Sequence, residues 1–271
     1  MHYRRIRRGS LGRRAAAAIS LLLTPLGFCA EALFPRPLHL VRRVSDPISR
    51  TTATIDEYCA GNRVVTVRGS KVTIAEYDAQ QLTEIDHAAQ TWSVTPFADI
   101  AQARAALDAR IRVSSAPRVT RFTAAGHKAA GTGETFVDDA PHRRLEIVID
   151  RRVGLSRGAS EVLIGAAYPA TGTEEQEAIL AAAGGGGNVS TMSTGTSATG
   201  TYGLVTDRTL TIDTDGAMLV SHNTILRIGD ELPPANATLI DPGATRIESR
   251  LTRLSRELRE IDMLPAAAVQ R

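Results

Sequence analysis

Ser197, Asp207 and His222 follow one another in the order nucleophile, acid, base, and a Ser-His-Asp set is the first chemistry this sequence invites. The serine lies in Gly195-Thr-Ser-Ala-Thr-Gly200, close in form to the G-x-S-x-G elbow that holds a nucleophile on a sharp strand-to-helix turn. The spacing fails, because the second glycine comes one residue late. The setting fails too: residues 184–203, GGGGNVSTMSTGTSATGTYG, are a Gly/Ser/Thr repeat with too little apolar surface to hold a serine against a base. This stretch is expected to be a disordered loop. Its run Gly184 to Gly187 matches neither phosphate-loop pattern, since no Lys-Ser/Thr pair follows and position 189 is not glycine.

Metal chemistry has equally thin support. His39, His87, His127, His142 and His222 show none of the short spacings of a zinc site, although distant histidines can converge in a fold. Asp213-Thr-Asp215-Gly216 supplies the first carboxylates of a calcium loop without the ligands that should follow, so it reads as a hairpin turn. His222, within an alternating strand, reads as an ordinary hydrogen-bonded histidine. Cys59, also in a strand pattern, reads as a small buried hydrophobe rather than a nucleophile. No catalytic residue, metal or cofactor is expected.

The elements that would have to position any site begin after an apparent address. Arginines 4 to 14 form a basic region, AAAAISLLLTPLGF an apolar one, and Ala30-Glu31-Ala32 a small-residue cleavage site, so residues 1–32 read as a signal peptide. The apolar run is shorter than the ~20 residues that span a bilayer, and Pro25 interrupts it. Leu26-Gly27-Phe28-Cys29 is a lipoprotein box with Phe28 where a small residue belongs, so a lipidated Cys29 is a second reading. Cleavage after Ala32 makes the protein periplasmic or secreted and leaves Cys59 without a disulfide partner. It also removes six arginines and one glutamate, leaving 26 basic against 28 acidic residues, and with them the dense basic stripe that nucleic-acid binding would need.

Residues 33–50, with Pro35, Pro37 and Pro47 and two arginine clusters, read as a proline-rich lead-in or tether. The single domain is expected over 51–271. Residues 51–97 alternate apolar and polar positions between turn residues, a β-meander in which Val65 and Val67, Val72 and Ile74, Leu82 and Ile85, and Trp92 and Val94 supply a buried face. A helix follows over 96–113, with strands in RVTRF, ETFV and RRLEIVIDRRV. One or two helices are expected over 160–183, a hairpin around 213–216, and an amphipathic helix over 244–264. In that last helix Ile247, Leu251, Leu254, Leu258 and Ile261 recur at four-three spacing; it packs on the sheet or on a partner.

The meander carries a GSKV turn (Gly69, Ser70, Lys71, Val72), an EYD segment (Glu76, Tyr77, Asp78) and a strand with Trp92, and a helix is inserted before more strands. Together with the export signal, this order over residues 51 to about 150 resembles the LolA-like family of periplasmic lipoprotein carriers and related exported half-barrels. The resemblance implies an α+β fold, a curved antiparallel β-sheet forming an incomplete barrel covered by helices, with an apolar concavity for acyl chains. On that implication Val65, Val67, Ile74, Trp92, Ile147 and Ile149 line a hollow for lipid or lipoprotein acyl chains, with association at a membrane surface. The reading is therefore a non-enzymatic holder of an apolar ligand; an envelope scaffold or protein-interaction module is the alternative, and a hydrolase the third. The sequence leaves the oligomeric state open.

Overall fold

In the computed structural model the described residues are 32–46, 50–111, 123–127, 133–140, 142–167, 173–184, 201–214 and 217–262. Twelve strands among them join into one open, mostly antiparallel sheet, accompanied by four α-helices. Across the sheet the strands run β12-β6-β5-β4-β3-β2-β1-β11-β10-β9-β8-β7.

The meander is present as β2 (Thr51–Gly61), β3 (Arg63–Arg68), β4 (Lys71–Glu76), β5 (Gln81–Asp86) and β6 (Thr91–Pro96). Its turns explain its regularity. Gly61 and Gly69 take left-handed backbone (φ +59° and +60°) in the two tight turns, where a side chain would be strained. The two longer turns end on Gln80 and Gln90, also left-handed, and each amide reaches back to a carbonyl three residues earlier, that of Tyr77 and that of His87.

Within the expected lead-in, residues 34–46 are not a tether. Phe34–Asp46 is β1, paired on one side with β2 and on the other with β11 (Ala217–Gly229), near the middle of the sheet. Its prolines are accommodated because the β2 register jumps between Phe34 and Leu38, so Pro35 and Pro37 fall outside the ladder, where a missing N–H costs nothing.

The second half of the sheet consists of β10 (Tyr202–Thr214), β9 (Arg143–Leu155), β8 (Gly133–Ala140) and β7 (Thr123–His127). The hairpin expected at 213–216 joins β10 to β11, with Thr214 opposite Ala217. Most of the expected loop and the RVTRF stretch lie outside the described residues.

One face of the sheet is covered by helices. α2 (Arg157–Ala167) starts where Ser156 Oγ accepts the Ala159 N–H at 3.1 Å, and it buries Ala159 and Leu163 against Phe34, Leu40, Cys59, Val64 and Leu204. α3 (Thr173–Ala183) lays Ala178, Ile179 and Ala182 on Leu145, Ile147 and Ile149. Arg151 closes the end of α3, donating to the Ala183 and Ala182 carbonyls at 2.8 and 3.1 Å. α1 (Phe97–Ile111) and α4 (Arg250–Asp262) pack against each other and beside β6. Residues 244–249, expected as part of the last helix, are instead extended: Thr245–Arg246 forms β12 and pairs in parallel with β6.

The opposite face carries a row of directly opposed residues running across eight strands: Arg227, Val41, Asp56, Val67, Val72, Ile85, Trp92 and Arg246. Ile85 shares this face with Thr83 rather than with Leu82, which the period of two places on the helix side. Residues 230–244 cross this face from the end of β11 to β12, with a 3₁₀ turn at Ala235–Thr238 beside β4.

Candidate functional site

The six residues expected to line one hollow do not meet. Val65, Val67, Ile74 and Trp92 cluster with Val72, Ile85 and Tyr58 on the face crossed by residues 230–244. Ile147 and Ile149 lie on the other face, fully buried beneath α3. The alternation within each strand is as expected. The strand registers and the bulge in β10 between Val205 and Asp207 then decide that β9 turns its isoleucines to the helix side. A space of about 10 Å³ lies between α2 and the sheet beside Arg42, Ser160 and Gly203, room for about one water.

The Ser-Asp-His order that its spacing rejected has its acid and base engaged with other groups. Asp207 accepts from Thr224 Oγ1 at 2.8 Å, His222 Nδ1 sits 3.1 Å from Thr209 Oγ1, and Ser197 is outside the described residues. His87 Nε2 contacts the Ala237 carbonyl at 3.2 Å, tying the crossing segment to the β5–β6 turn. Cys59 is buried, and burial pushes its thiol well above the usual range. Neighbouring Tyr77 is pushed up to about 12, again chiefly by burial.

The groups that do converge are held by strands remote in sequence. His39 of β1 is 2% exposed and stacks on Tyr58 of β2, ring centroids 4.1 Å apart. Its Nε2 lies 2.9 Å from Asp56 Oδ1 and its Nδ1 3.0 Å from Glu231 Oε2. Arg227 of β11 donates to Glu231 Oε1 at 2.7 Å and brings Nη2 within 3.1 Å of His39 Nδ1. Nε2 thus faces one carboxylate, and Nδ1 faces a carboxylate and a guanidinium at once. The Glu231 carboxyl is held below its usual range, first by its own backbone N–H and then by His39. Burial and the nearby Asp56 charge raise the Tyr58 hydroxyl. Nothing in local sequence marks this cluster, because His39 and Glu231 are 192 residues apart. It is an anchor: it fixes the start of the 230–244 segment to the sheet.

The far end of that segment is fixed by strand pairing. Thr245 N donates to the Gln90 carbonyl at 2.9 Å and Ile247 N to that of Trp92 at 2.8 Å, while the Arg246 guanidinium lies 5.0 Å from the Trp92 ring centroid. A groove of about 340 Å³, lined by Val94, Arg246, Ile247, Glu248, Ser249 and Thr252, continues along this edge. Around it apolar side chains face solvent, Leu239 at 63% and Ile247 at 48% exposure.

No protein-family model matches the chain, and no curated protein matches it. Among solved structures it is similar to one titled "Structure of PNGF-II in C2 space group", at 7% identity and a TM-score of 0.34, over 83% of this chain. The chain spans 33% of that structure's length.

Proposed function

We propose that this chain is a non-catalytic interaction scaffold of the cell envelope, carried there by its N-terminal segment. The observation that supports it is that the chain itself covers the apolar clusters on both sheet faces: α2 and α3 on one, residues 230–244 on the other. A small-molecule pocket takes roughly 300–1,000 Å³ lined mostly by apolar groups; the space beside Arg42 is about 10 Å³, and the groove of about 340 Å³ is lined largely by polar and charged residues, Arg246, Glu248, Ser249 and Thr252. Clusters covered in this way favour a platform over a container. The sheet itself is read as the curved, incomplete barrel that the LolA-like pattern implies, with the bulges in β10 and β11 as the points of bending.

The acid and base groups of the chain serve the scaffold reading as well, since His39, Asp56 and Glu231 engage one another and fix an edge segment. A carrier on the same fold would take an acyl chain against Val65, Val67, Ile74 and Trp92, and would first have to move the 230–244 segment off them. Native mass spectrometry of gently purified protein, followed by titration with a fluorescent fatty acid, separates the two. The scaffold reading expects a ligand-free mass and no saturable probe binding; co-purified lipid displaced by the probe would replace it with the carrier.

A further inference from the structure

Residues 245–247 occupy the edge of the sheet on slender terms. β12 is two residues long, both exposed, and its two described N–H donations go to the Gln90 and Trp92 carbonyls. A strand edge filled by so short a segment presents the same row of backbone groups that an incoming strand would use. What the resident contributes is specific: an arginine over the Trp92 ring, then Ile247, which with Arg246 forms part of the wall of the 340 Å³ groove. Its tether at the β11 end is Glu231, which pairs with buried His39 and half-exposed Arg227 while its own side chain stays 47% exposed, and His87 contacts the Ala237 carbonyl midway; the pair with Arg227 contributes little in water. Between the anchors, Pro233, Pro234 and Pro242 keep the segment from joining the sheet over most of its length.

We propose that the β6 edge is a strand-addition site for a partner, occupied in cis by Thr245–Arg246: an extended peptide carrying arginine pairs in parallel with β6 and sets the arginine on Trp92. This rests on the scaffold reading and names the chemistry of its partner. Release of the Glu231 anchor raises the fraction of molecules with the edge open, and peptide affinity rises with that fraction.

The probe is a fluorescein-labelled synthetic peptide of residues 243–248, Gly-Ala-Thr-Arg-Ile-Glu, titrated with the full chain and with Glu231→Ala. A saturable rise in the anisotropy of the label is expected, about tenfold tighter in the variant, and lost when alanine replaces the peptide's arginine. No change in either protein, or an equal response to the arginine-free peptide, overturns the proposal. Should Glu231→Ala fail to fold, hydrogen exchange on the unaltered chain gives an independent reading. The Thr245 and Ile247 amides should exchange well ahead of those of Val65 and Ile74, and exchange of all four at one slow rate overturns it. The fatty-acid titration on the same preparation reads the scaffold proposal separately: probe binding there counts against the scaffold, whereas a silent fatty acid with a silent peptide counts against the strand site alone.

Discussion

Arg42 Nε donates to Glu57 Oε2 at 2.8 Å between adjacent central strands, with both side chains almost wholly removed from solvent beneath α2. Taking two charges out of water costs several kcal/mol per ion, and the contact offsets this only while both members are present. Glu57→Ala therefore removes a carboxylate from beside a buried guanidinium and is expected to destabilise by about 3–5 kcal/mol. The double replacement Arg42→Met with Glu57→Leu should recover most of that loss. Urea unfolding of the three proteins checks it; a double variant no more stable than Glu57→Ala would contradict it.

Ile149 is fully buried under α3. Ile149→Ala should cost about 2–5 kcal/mol, lost transfer energy plus the cavity left behind. Val67→Ala, on the other face and only partly buried, should cost clearly less. Denaturant midpoints for the pair measure the difference, and similar losses would mean that the isoleucine is not in the packed layer described.

Gly203 is a position where close approach, not backbone freedom, requires glycine. A methyl group there would meet the Ile149 side chain directly and come within 3.3 Å of the Asp150 carbonyl, on the neighbouring strand. Gly203→Ala is expected to destabilise by roughly 1–3 kcal/mol through overpacking. Pairing it with Ile149→Ala, which removes the Cγ2 that the new methyl would meet, should give a smaller loss than the sum of the two.

Acid stability offers a check with a definite sign. Asp150 accepts from Arg152 Nη2 at 2.7 Å, from its Nε at 3.1 Å and from its backbone N–H at 2.9 Å, and the side-chain bond from Arg152 leads in holding the carboxyl below its usual range. A depressed folded value means the contribution is complete above the unfolded value of ~3.9 and is lost as pH falls through the folded one. The decline in stability below about pH 4 should therefore be shallower in Asp150→Asn. An unchanged slope would show that the carboxylate is not held as described.

Cys59 should resist thiol reagents in the native state, because burial disfavours the thiolate that reacts. Labelling is expected to follow the unfolding transition rather than precede it, as a denaturant series with a coloured thiol reagent will report.

The parts of this fold that announce themselves are those whose information is local. The meander is legible because Val65, Val67, Val72 and Ile74 alternate between glycine turns, and the hairpin before β11 because Asp213 follows one alternating run and precedes another. β1 escapes notice because Pro35 and Pro37 read as breakers, when a jump in register carries them past the ladder. The grouping of the six lining residues fails for a different reason. Periodicity assigns side chains to alternate faces of one strand, but which face Ile147 shares with Val65 depends on every register between β9 and β3. The His39 cluster is invisible for the same cause: Asp56, Arg227 and Glu231 reach it only after strands from both ends of the described chain have paired. Glu175, in the first turn of α3, lies buried with Arg208 Nη2 at 3.0 Å, an arrangement only the packed layers define.

The position of β1 also fixes an order of events. Its first partner, β2, follows at once in the chain, but its second, β11, comes much later: Ser45 takes the His222 N–H across a sequence separation of 177. During synthesis, and again during any passage of the unfolded chain across a membrane, one long central strand must wait with a bare flank until the other half has emerged. Such distant pairing is slow to form, and an unfilled flank recruits whatever strand it meets first. The seam between β1 and β11 is thus where assembly finishes, and where a crowded or hurried chain would go astray.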